Sequence, residues 1–146
     1  MNHATLVKRG AGYLRQLGCR VVLTEARAVL NGEHPDVIGW LPGGESVVIE
    51  AKSNRKDFRE DWRPDRKAFR HEPELGMGVR RYYITTHGVI RPADVERRGW
   101  GLIIAYPGVT RLEAESPEHQ RNADAELRLI VRCAENSDTT EQLTLW

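Results

Sequence analysis

The chain has 146 residues, 40% of them hydrophobic, and a net charge of +1 from 22 basic and 21 acidic side chains. This length and apolar content predict one domain with a proper core, and the near-neutral charge excludes a polycationic protein, so nucleic-acid binding would require a local basic patch. Cys19 and Cys133 lie far apart without metal-ligand spacing, which indicates a reducing environment and argues against a disulfide framework or structural zinc. Because we find neither a signal peptide nor a membrane-spanning apolar run, we expect a cytoplasmic protein.

The chain begins with a predicted helix and a predicted strand. Residues 3–17 carry apolar side chains near one helical face, and Gly18 is suited to cap the C-terminal end of that helix. The β-rich run that follows extends from Val21 to Leu30. These two elements predict a helix that precedes the first strand of a sheet.

The dipeptide Asn31-Gly32 is a strong signal for a two-residue hairpin turn. Such a turn would pair Glu25 with Ile38 and place Glu25 on the same sheet face as Asp36, one step along the strand. Glu25 is therefore a candidate third carboxylate of a site around Asp36. The alternative is a glutamate that faces the solvent.

A second hairpin is predicted between residues 36 and 51, where Pro42-Gly43-Gly44 joins two apolar runs. If the loop has three residues, Asp36 lies opposite Glu50, with Cβ atoms about 4.5–5.5 Å apart. A two-residue Gly-Gly turn would shift the register by one and send the two carboxylates to opposite faces. A shared site therefore requires the odd-numbered loop or an equivalent bulge.

Asp36, Glu50 and Lys52 form the candidate catalytic set. Glu50 and Lys52 are two residues apart on a strand, so their side chains point to the same face. Two carboxylates and an amine that converge on one face suit a divalent metal ion with an activated water. The alternative is an ordinary surface hairpin with an exposed Glu-Lys pair.

Residues 54–70 predict a helix that Pro64 kinks or restarts. Placed at 100° per residue, five arginines fall within an arc of roughly 80° beside the apolar side chains. This basic stripe follows the candidate site directly and is expected to hold phosphates. The alternative is a solvated helix whose acids neutralise the arginines. The candidate nucleic-acid-binding residues are Arg55, Arg59, Arg63, Arg66, Lys67 and Arg70.

The rest of the chain predicts two strands over residues 81–86 and 101–106, separated by a short helix at 92–97. Residues 109–112 are expected to add an edge strand. Residues 120–134 predict a closing helix with an apolar face. The members of that face are Ala123, Leu127, Ile130 and Val131.

The predicted domain covers residues 1–134, and residues 135–146 form a flexible tail. The polar tail ends in Gln142-Leu143-Thr144-Leu145-Trp146, which resembles the bacterial sliding-clamp-binding pentapeptide Gln-Leu-Ser/Asp-Leu-Phe. The resemblance implies that Gln142, Leu143, Leu145 and Trp146 bind a sliding clamp. The alternative is a tail that folds back onto its own core.

Pro35-Asp36 and Glu50-Ala51-Lys52 resemble the two motifs of the PD-(D/E)XK nuclease superfamily, and their placement on neighbouring strands is more specific than the motifs alone. A narrower resemblance, over roughly residues 20 to 106, is to the MmcB-like group of small DNA-repair nucleases. The stretches that carry it are Leu23-Thr24-Glu25-Ala26-Arg27, Lys52-Ser53, Asp57-Phe58, Asp61, Arg81-Tyr82-Tyr83, Gly88-Val89-Ile90 and Gly99-Trp100-Gly101-Leu102.

The resemblance implies a restriction-endonuclease-like α/β fold with a mixed central sheet flanked by helices. It also implies that Asp36, Glu50 and the backbone carbonyl of Ala51 bind Mg²⁺ or Mn²⁺, while Lys52 orients or deprotonates a bound water. The function implied is metal-dependent hydrolysis of phosphodiester bonds in DNA, in repair, replication or the processing of mobile DNA. The alternative is a catalytically silent nucleic-acid-binding module of the same fold that acts as a recruitment subunit. A homodimer is compatible with either.

Overall fold

The computed structural model describes residues 1–26 and 31–136, which form an α/β fold around a six-stranded mixed sheet. The strands lie in sequence order across the sheet, with β3, β4 and β5 parallel to one another and the remaining neighbours antiparallel. Their bounds are β1 Val21–Thr24, β2 Val37–Trp40, β3 Ser46–Ala51, β4 Arg80–Thr85, β5 Gly101–Tyr106 and β6 Val109–Ala114.

Within residues 1–26 and 31–136, five α-helices flank the sheet and a 3₁₀ turn lies at Pro73–Leu75. The expected class is therefore confirmed, as is a first helix followed by three meandering strands. In the part of the chain described, no helix is both long and apolar enough to cross a membrane. The helices are α1 His3–Leu17, α2 Arg55–Asp61, α3 Ala68–His71, α4 Pro92–Glu96 and α5 Ala123–Glu135.

Asn2 and Gly18 cap the two ends of helix α1. The side chain of Asn2 accepts a hydrogen bond of 2.8 Å from the backbone amide of Thr5. Gly18 adopts a left-handed conformation with φ 110°, which confirms its role as the C-terminal cap. Between the caps, Leu6 and Leu14 are buried against one face of the sheet. The helix therefore covers that face.

The alternation of side chains along β3 divides the core into two layers. Val47 and Ile49 belong to the layer under α1, whereas Val48 belongs to the layer on the opposite face. Glu50 shares the face of Val48 because side chains two residues apart on a strand point the same way. A carboxylate is thus buried within the layer that also contains Phe58 of α2.

The first strand is shorter than predicted, and its register differs from the one that the Asn31-Gly32 turn indicates. Strand β1 ends at Thr24, which pairs with Val37. The predicted pairing of Glu25 with Ile38 is therefore wrong. Glu33, which follows the predicted turn, does not continue the β-ladder. Its carboxylate lies in the interior and accepts a hydrogen bond of 2.8 Å from Met77 N. Residues 27–30 of the predicted strand lie outside the described residues.

The inward face of α5 also differs from the prediction. Leu127 and Val131 are 59% and 46% exposed, whereas Ala125 and Glu126 face inward. The carboxylate of Glu126 accepts hydrogen bonds from Ser46 Oγ at 2.7 Å and from the backbone amide of Gly78 at 2.9 Å. Burying this hydrogen-bonded carboxylate fixes the rotation of the helix, because leaving those buried polar groups unpaired would be costly.

A substitution of Gly101 tests the close packing of β4 and β5. A Cβ at this position would lie 2.5 Å from Tyr82 Cδ1 and 2.6 Å from the carbonyl oxygen of Ala114. We expect Gly101→Ala to lower the free energy of unfolding by about 1–3 kcal/mol, the usual cost of overpacking. Gly12→Ala is the matched control, since nothing lies within 4 Å of its Cβ position; it should stabilise the helix by about 0.5–1 kcal/mol. Equal effects in urea unfolding would contradict this packing.

Candidate active site at the end of strand β3

The hairpin between β2 and β3 has the three-residue loop on which the site depends. The amide of Leu41 donates to the carbonyl oxygen of Glu45 at 2.9 Å, and the ladder continues to the pair Val37–Ile49. One step further, Asp36 lies opposite Glu50. The predicted register is therefore confirmed, and it brings the two carboxylates together at the end of the hairpin.

Asp36 is held by the neighbouring strand and by the start of α1. Its Oδ2 accepts a hydrogen bond of 2.8 Å from the backbone amide of Ala51. Its Oδ1 lies 3.5 Å from Nε2 of His3, which in turn is 3.0 Å from Oε1 of Glu25. These contacts orient the Asp36 carboxylate at the end of the sheet.

Glu25 lies beside Asp36, although by a register that differs from the predicted one. The amide of Glu25 donates to the carbonyl oxygen of Asp36 at 2.9 Å, so the two residues are direct neighbours across the strands. The register differs from the prediction by two residues, and Glu25 lies just beyond the end of β1 with a positive φ of 53°. Potential ligand atoms of His3, Glu25 and Asp36 all lie within 4.8 Å of one another.

Glu50 is the most deeply buried carboxylate of the predicted catalytic set. Burial raises its pKa well above the ordinary value, and the nearby Asp36 and Asp61 carboxylates raise it further. Arg70 acts in the opposite direction, with Nη2 3.2 Å from Glu50 Oε1. Burial therefore disfavours the charged form of Glu50, and Arg70 favours it.

Asp61 is the centre of a buried ionic network that the sequence prediction did not assign to the site. Its carboxylate lies 3.4 Å from Lys52 Nζ and 3.0 Å from Arg70 Nε, and it also pairs with Lys67. Burial alone would raise the pKa of Asp61, but these cations outweigh burial and lower it. Tyr83 donates its hydroxyl hydrogen to the same carboxylate. The network ties Lys52 of the candidate set to two further cations.

A sequence signal for Asp61 does exist. Asp61 follows Phe58 by three residues, so the two side chains share the inward face of a helix. Phe58 is 2% exposed and Asp61 is 1% exposed. An acid at core spacing is unusual, because a buried charge requires partners. Here the partners are Lys52, Lys67 and Arg70, which lie six to nine residues away in sequence, and Tyr83 of β4.

Arg70 is part of the same network rather than part of an exposed stripe. Its side chain is 3% exposed and contacts the carboxylates of Glu33, Glu50 and Asp61. These carboxylates raise the pKa of its guanidinium against the opposing effect of burial. Its carbon Cζ also lies 4.7 Å from the centre of the Trp100 ring. Arg70 therefore compensates buried charge and is not available at the surface for phosphate contacts.

The helix predicted for residues 54–70, with a kink or restart at Pro64, is observed as two short helices. Helix α2 ends at Asp61 and α3 begins at Ala68, so the single 100° arc does not apply. Pro64 lies in the turn between them, where it cannot continue the first helix.

The other members of the predicted stripe have different surroundings. Arg55 pairs with Asp94 at 2.9 Å, while Arg63 and Arg66 lie 3.4 and 3.5 Å from Glu60. Arg59 is exposed. Lys67, which contacts Asp61, lines the candidate site.

The candidate set opens onto a pocket of about 470 Å³. A second pocket of about 500 Å³ adjoins it and shares Glu50, His34 and Lys67. The larger combined cleft gives a ligand access to the charged end of β3. Residues that line the first pocket include Asp36, Glu50, Ala51, Lys52, Asp61 and Lys67.

The donor set fits a divalent cation with a preference for oxygen. Asp36 and Glu50 offer carboxylate oxygens from facing strands, and such oxygens are the usual ligands of Mg²⁺ and Mn²⁺. Burial and the neighbouring Asp36 carboxylate both raise the pKa of Glu50, and a cation between the two carboxylates would relieve their repulsion. Ala51, whose amide binds Asp36, is 3% exposed.

Two sequence predictions concern the tail and stay predictions. Helix α5 ends at Glu135, close to the predicted domain boundary at residue 134. The clamp-binding residues Gln142, Leu143, Leu145 and Trp146 lie outside the described residues.

Comparison with known proteins gives a structural relative without an assigned role. No family model matches the chain, and no curated protein matches it. The chain is similar to the solved structure of a protein of unknown function from Silicibacter pomeroyi, with a TM-score of 0.69 and 26% sequence identity. The match covers 97% of this chain and 90% of that one. The α/β architecture is thus shared over nearly the whole length of both proteins.

Proposed function

We propose that this protein is a metal-dependent nuclease that hydrolyses phosphodiester bonds in DNA, with its active site at the end of β3. The observation that carries the proposal is the cross-strand pair of Asp36 and Glu50, with Lys52 lining the same pocket. The resemblance of these residues to the PD-(D/E)XK motifs supports the same assignment.

Asp36, Glu50 and the carbonyl oxygen of Ala51 would hold Mg²⁺ or Mn²⁺. When bound, such an ion polarises a phosphoryl oxygen and lowers the pKa of a bound water. The hydrogen bond from Ala51 N to Asp36 Oδ2, at 2.8 Å, fixes the orientation of one of these carboxylates before any ligand arrives. Preorganisation of this kind removes an ordering cost from binding.

Lys52 would stabilise the charge that develops on the phosphate during hydrolysis. Its Nζ lies 3.4 Å from Asp61 Oδ1, so the amine is held at the pocket wall by an ion pair. Asp61 is in turn fixed by Arg70 and Tyr83. A positively charged donor that is already in place costs little reorganisation when the reaction occurs. Asp61 and Arg70 thus act as positioning residues.

Incubation of labelled DNA substrates with Mn²⁺ tests the proposal. Single strands, duplexes and branched junctions should be compared, and at least one should be cut in a manner that chelation abolishes. Binding without cleavage of any substrate would favour the silent nucleic-acid-binding module.

Asp36→Asn should abolish or greatly weaken Mn²⁺ binding and leave the fold intact. An asparagine oxygen can still accept the hydrogen bond from Ala51 N, but the position loses its negative charge. Isothermal titration calorimetry with Mn²⁺ measures this difference directly. Asp57→Asn is the control, because Asp57 is an exposed carboxylate at the rim of the same pocket. Equal Mn²⁺ affinities in the wild type and Asp36→Asn would place the metal elsewhere.

A further inference from the structure

A second, more apolar pocket of about 340 Å³ lies on the same sheet face as Glu50. Glu50 pairs with Tyr83, and Tyr83 pairs with Leu102, which lines this pocket. Paired residues of neighbouring strands share a face, and strands are spaced by about 4.8 Å, so Leu102 is two strands or about 10 Å from Glu50. The pocket is therefore close enough to the candidate active site to hold another part of the same substrate.

The walls of this pocket suit a flat aromatic ring. Leu102, Ile90 and Ile104 are each no more than 3% exposed and form an apolar floor. His87 and Tyr106 line the same pocket, with ring centres 6.2 Å apart and planes inclined at 33°. His87 is exposed and Tyr106 is half-buried. Aromatic rings beside an apolar floor offer stacking surfaces, which is how proteins bind unpaired bases without sequence preference.

Hydrogen-bonding groups are present at the rim of the pocket. Glu113 lines it and accepts a hydrogen bond of 3.3 Å from the hydroxyl of Tyr106. A carboxylate has several acceptor positions, so Glu113 can also accept from an N–H donor of a base, such as the ring N3–H of thymine. The pocket thus combines stacking surfaces with a polar edge, as a base requires.

Arginines around α4 supply excess positive charge beside the pocket. Asp94 is already satisfied by both terminal nitrogens of Arg55, at 2.9 and 3.2 Å, and by the backbone amide of Arg91. The side chains of Arg91 and Arg97 are 73% and 69% exposed and lie 3.8 and 3.9 Å from that carboxylate. Their charge is therefore largely available to an anion, and Arg91 itself lines the pocket.

We propose that this pocket binds an unpaired nucleobase of single-stranded DNA, with the neighbouring phosphates on Arg91 and Arg97. The inference rests on the proposed function and names the class of substrate: DNA with an unpaired nucleotide next to the cleavage position. A base inside a duplex is stacked and paired and would have to be extruded before it could enter.

The test is a fluorescence anisotropy titration of the full chain with labelled oligo(dT), in the presence of a chelator so that no cleavage occurs. An abasic oligomer of equal length and charge is the matched ligand. Wild type should bind oligo(dT) more tightly than the abasic oligomer. Tyr106→Ala should weaken oligo(dT) binding roughly tenfold, the range expected for loss of one stacked base. Tyr106→Ala should leave abasic binding unchanged, and Tyr106→Phe, which keeps the ring, should restore oligo(dT) binding.

Arg91→Ala should weaken the binding of both oligomers and reduce the slope of log affinity against log salt by about one. Arg128→Ala is the matched control, because Arg128 is an exposed arginine on α5 that is not among the lining residues of this pocket. Equal affinity for oligo(dT) and the abasic oligomer, or equal losses in both with Tyr106→Ala, would overturn the proposal. Displacement of oligo(dT) by an equal concentration of free thymidine monophosphate would also overturn it, since the site would then bind mononucleotides.

The experiments distinguish a wrong assignment of base binding to this pocket from a wrong assignment of nuclease activity to the protein. Mn²⁺-dependent cleavage by wild type, together with equal binding of oligo(dT) and the abasic oligomer, would overturn the base-binding proposal alone. If wild type binds oligo(dT) in a base-dependent manner but cleaves no DNA, the base-binding proposal is supported and the proposed hydrolytic function is wrong.

Discussion

Replacement of Arg70 with methionine is expected to lower the free energy of unfolding by about 3–5 kcal/mol. The guanidinium of Arg70 is buried and faces the carboxylates of Glu33, Glu50 and Asp61. Methionine fills a similar volume but leaves these buried charges without their shared cation, and a buried charge that loses its partner is strongly destabilising. Equilibrium unfolding in urea measures the change.

Arg66→Met provides the matched control for Arg70→Met. Arg66 lies four residues earlier and its side chain is 57% exposed, with a contact of 3.5 Å to Glu60. Exposed ion pairs contribute little, so this variant should stay within about 0.5 kcal/mol of wild type. A loss of less than about 1 kcal/mol for Arg70→Met would contradict the role of Arg70 as the shared cation.

Replacement of Lys52 with alanine is expected to reduce the cleavage rate by at least about a hundredfold, the usual effect of removing one preorganised group that stabilises the transition state. The fold should persist, because Asp61 keeps its contacts with Lys67 and Arg70 when Lys52 is removed. The measurement is the initial rate of Mn²⁺-dependent cleavage, with circular dichroism to verify folding.

Lys56→Ala controls for the loss of a positive charge near the site. Lys56 is an exposed residue of α2, and it is not among the lining residues of the candidate pocket. Its replacement should leave the cleavage rate near that of wild type. If Lys52→Ala cuts DNA as fast as Lys56→Ala does, Lys52 has no part in the chemistry.

The hairpin that brings Asp36 and Glu50 together could be predicted from sequence because its rules are local. A loop length fixes a strand register, and the period of two fixes the face. The same reasoning placed Glu25 near Asp36, but with a register that is wrong by two residues. The turn at Asn31-Gly32 misled the prediction because tertiary contacts of Glu33 outweighed the local turn preference.

The buried network around Asp61 could not be predicted in the same way. Helical periodicity across residues 54–70 predicted that Arg70 belongs to an exposed stripe. The helix instead ends after α2, and Arg70 lies in the interior. Its partners, Glu33 and Glu50, are far away in sequence, so no local pattern indicates them. The predicted inward face of α5 was wrong for a related reason. Glu126 accepts hydrogen bonds from Ser46 and from the amide of Gly78, neither of which is a sequence neighbour.

The most direct test of the central claim is the rate of DNA cleavage as a function of Mn²⁺ concentration, in wild type and Asp36→Asn purified side by side. The proposed site predicts a rate that rises with Mn²⁺ to saturation in wild type and stays at background in Asp36→Asn, since that variant keeps the hydrogen bond to Ala51 but lacks the charge. Parallel purification separates this activity from that of a contaminating nuclease. Equal rates in the two proteins, or no cleavage by wild type on any DNA substrate, would contradict hydrolysis at the Asp36–Glu50–Lys52 site.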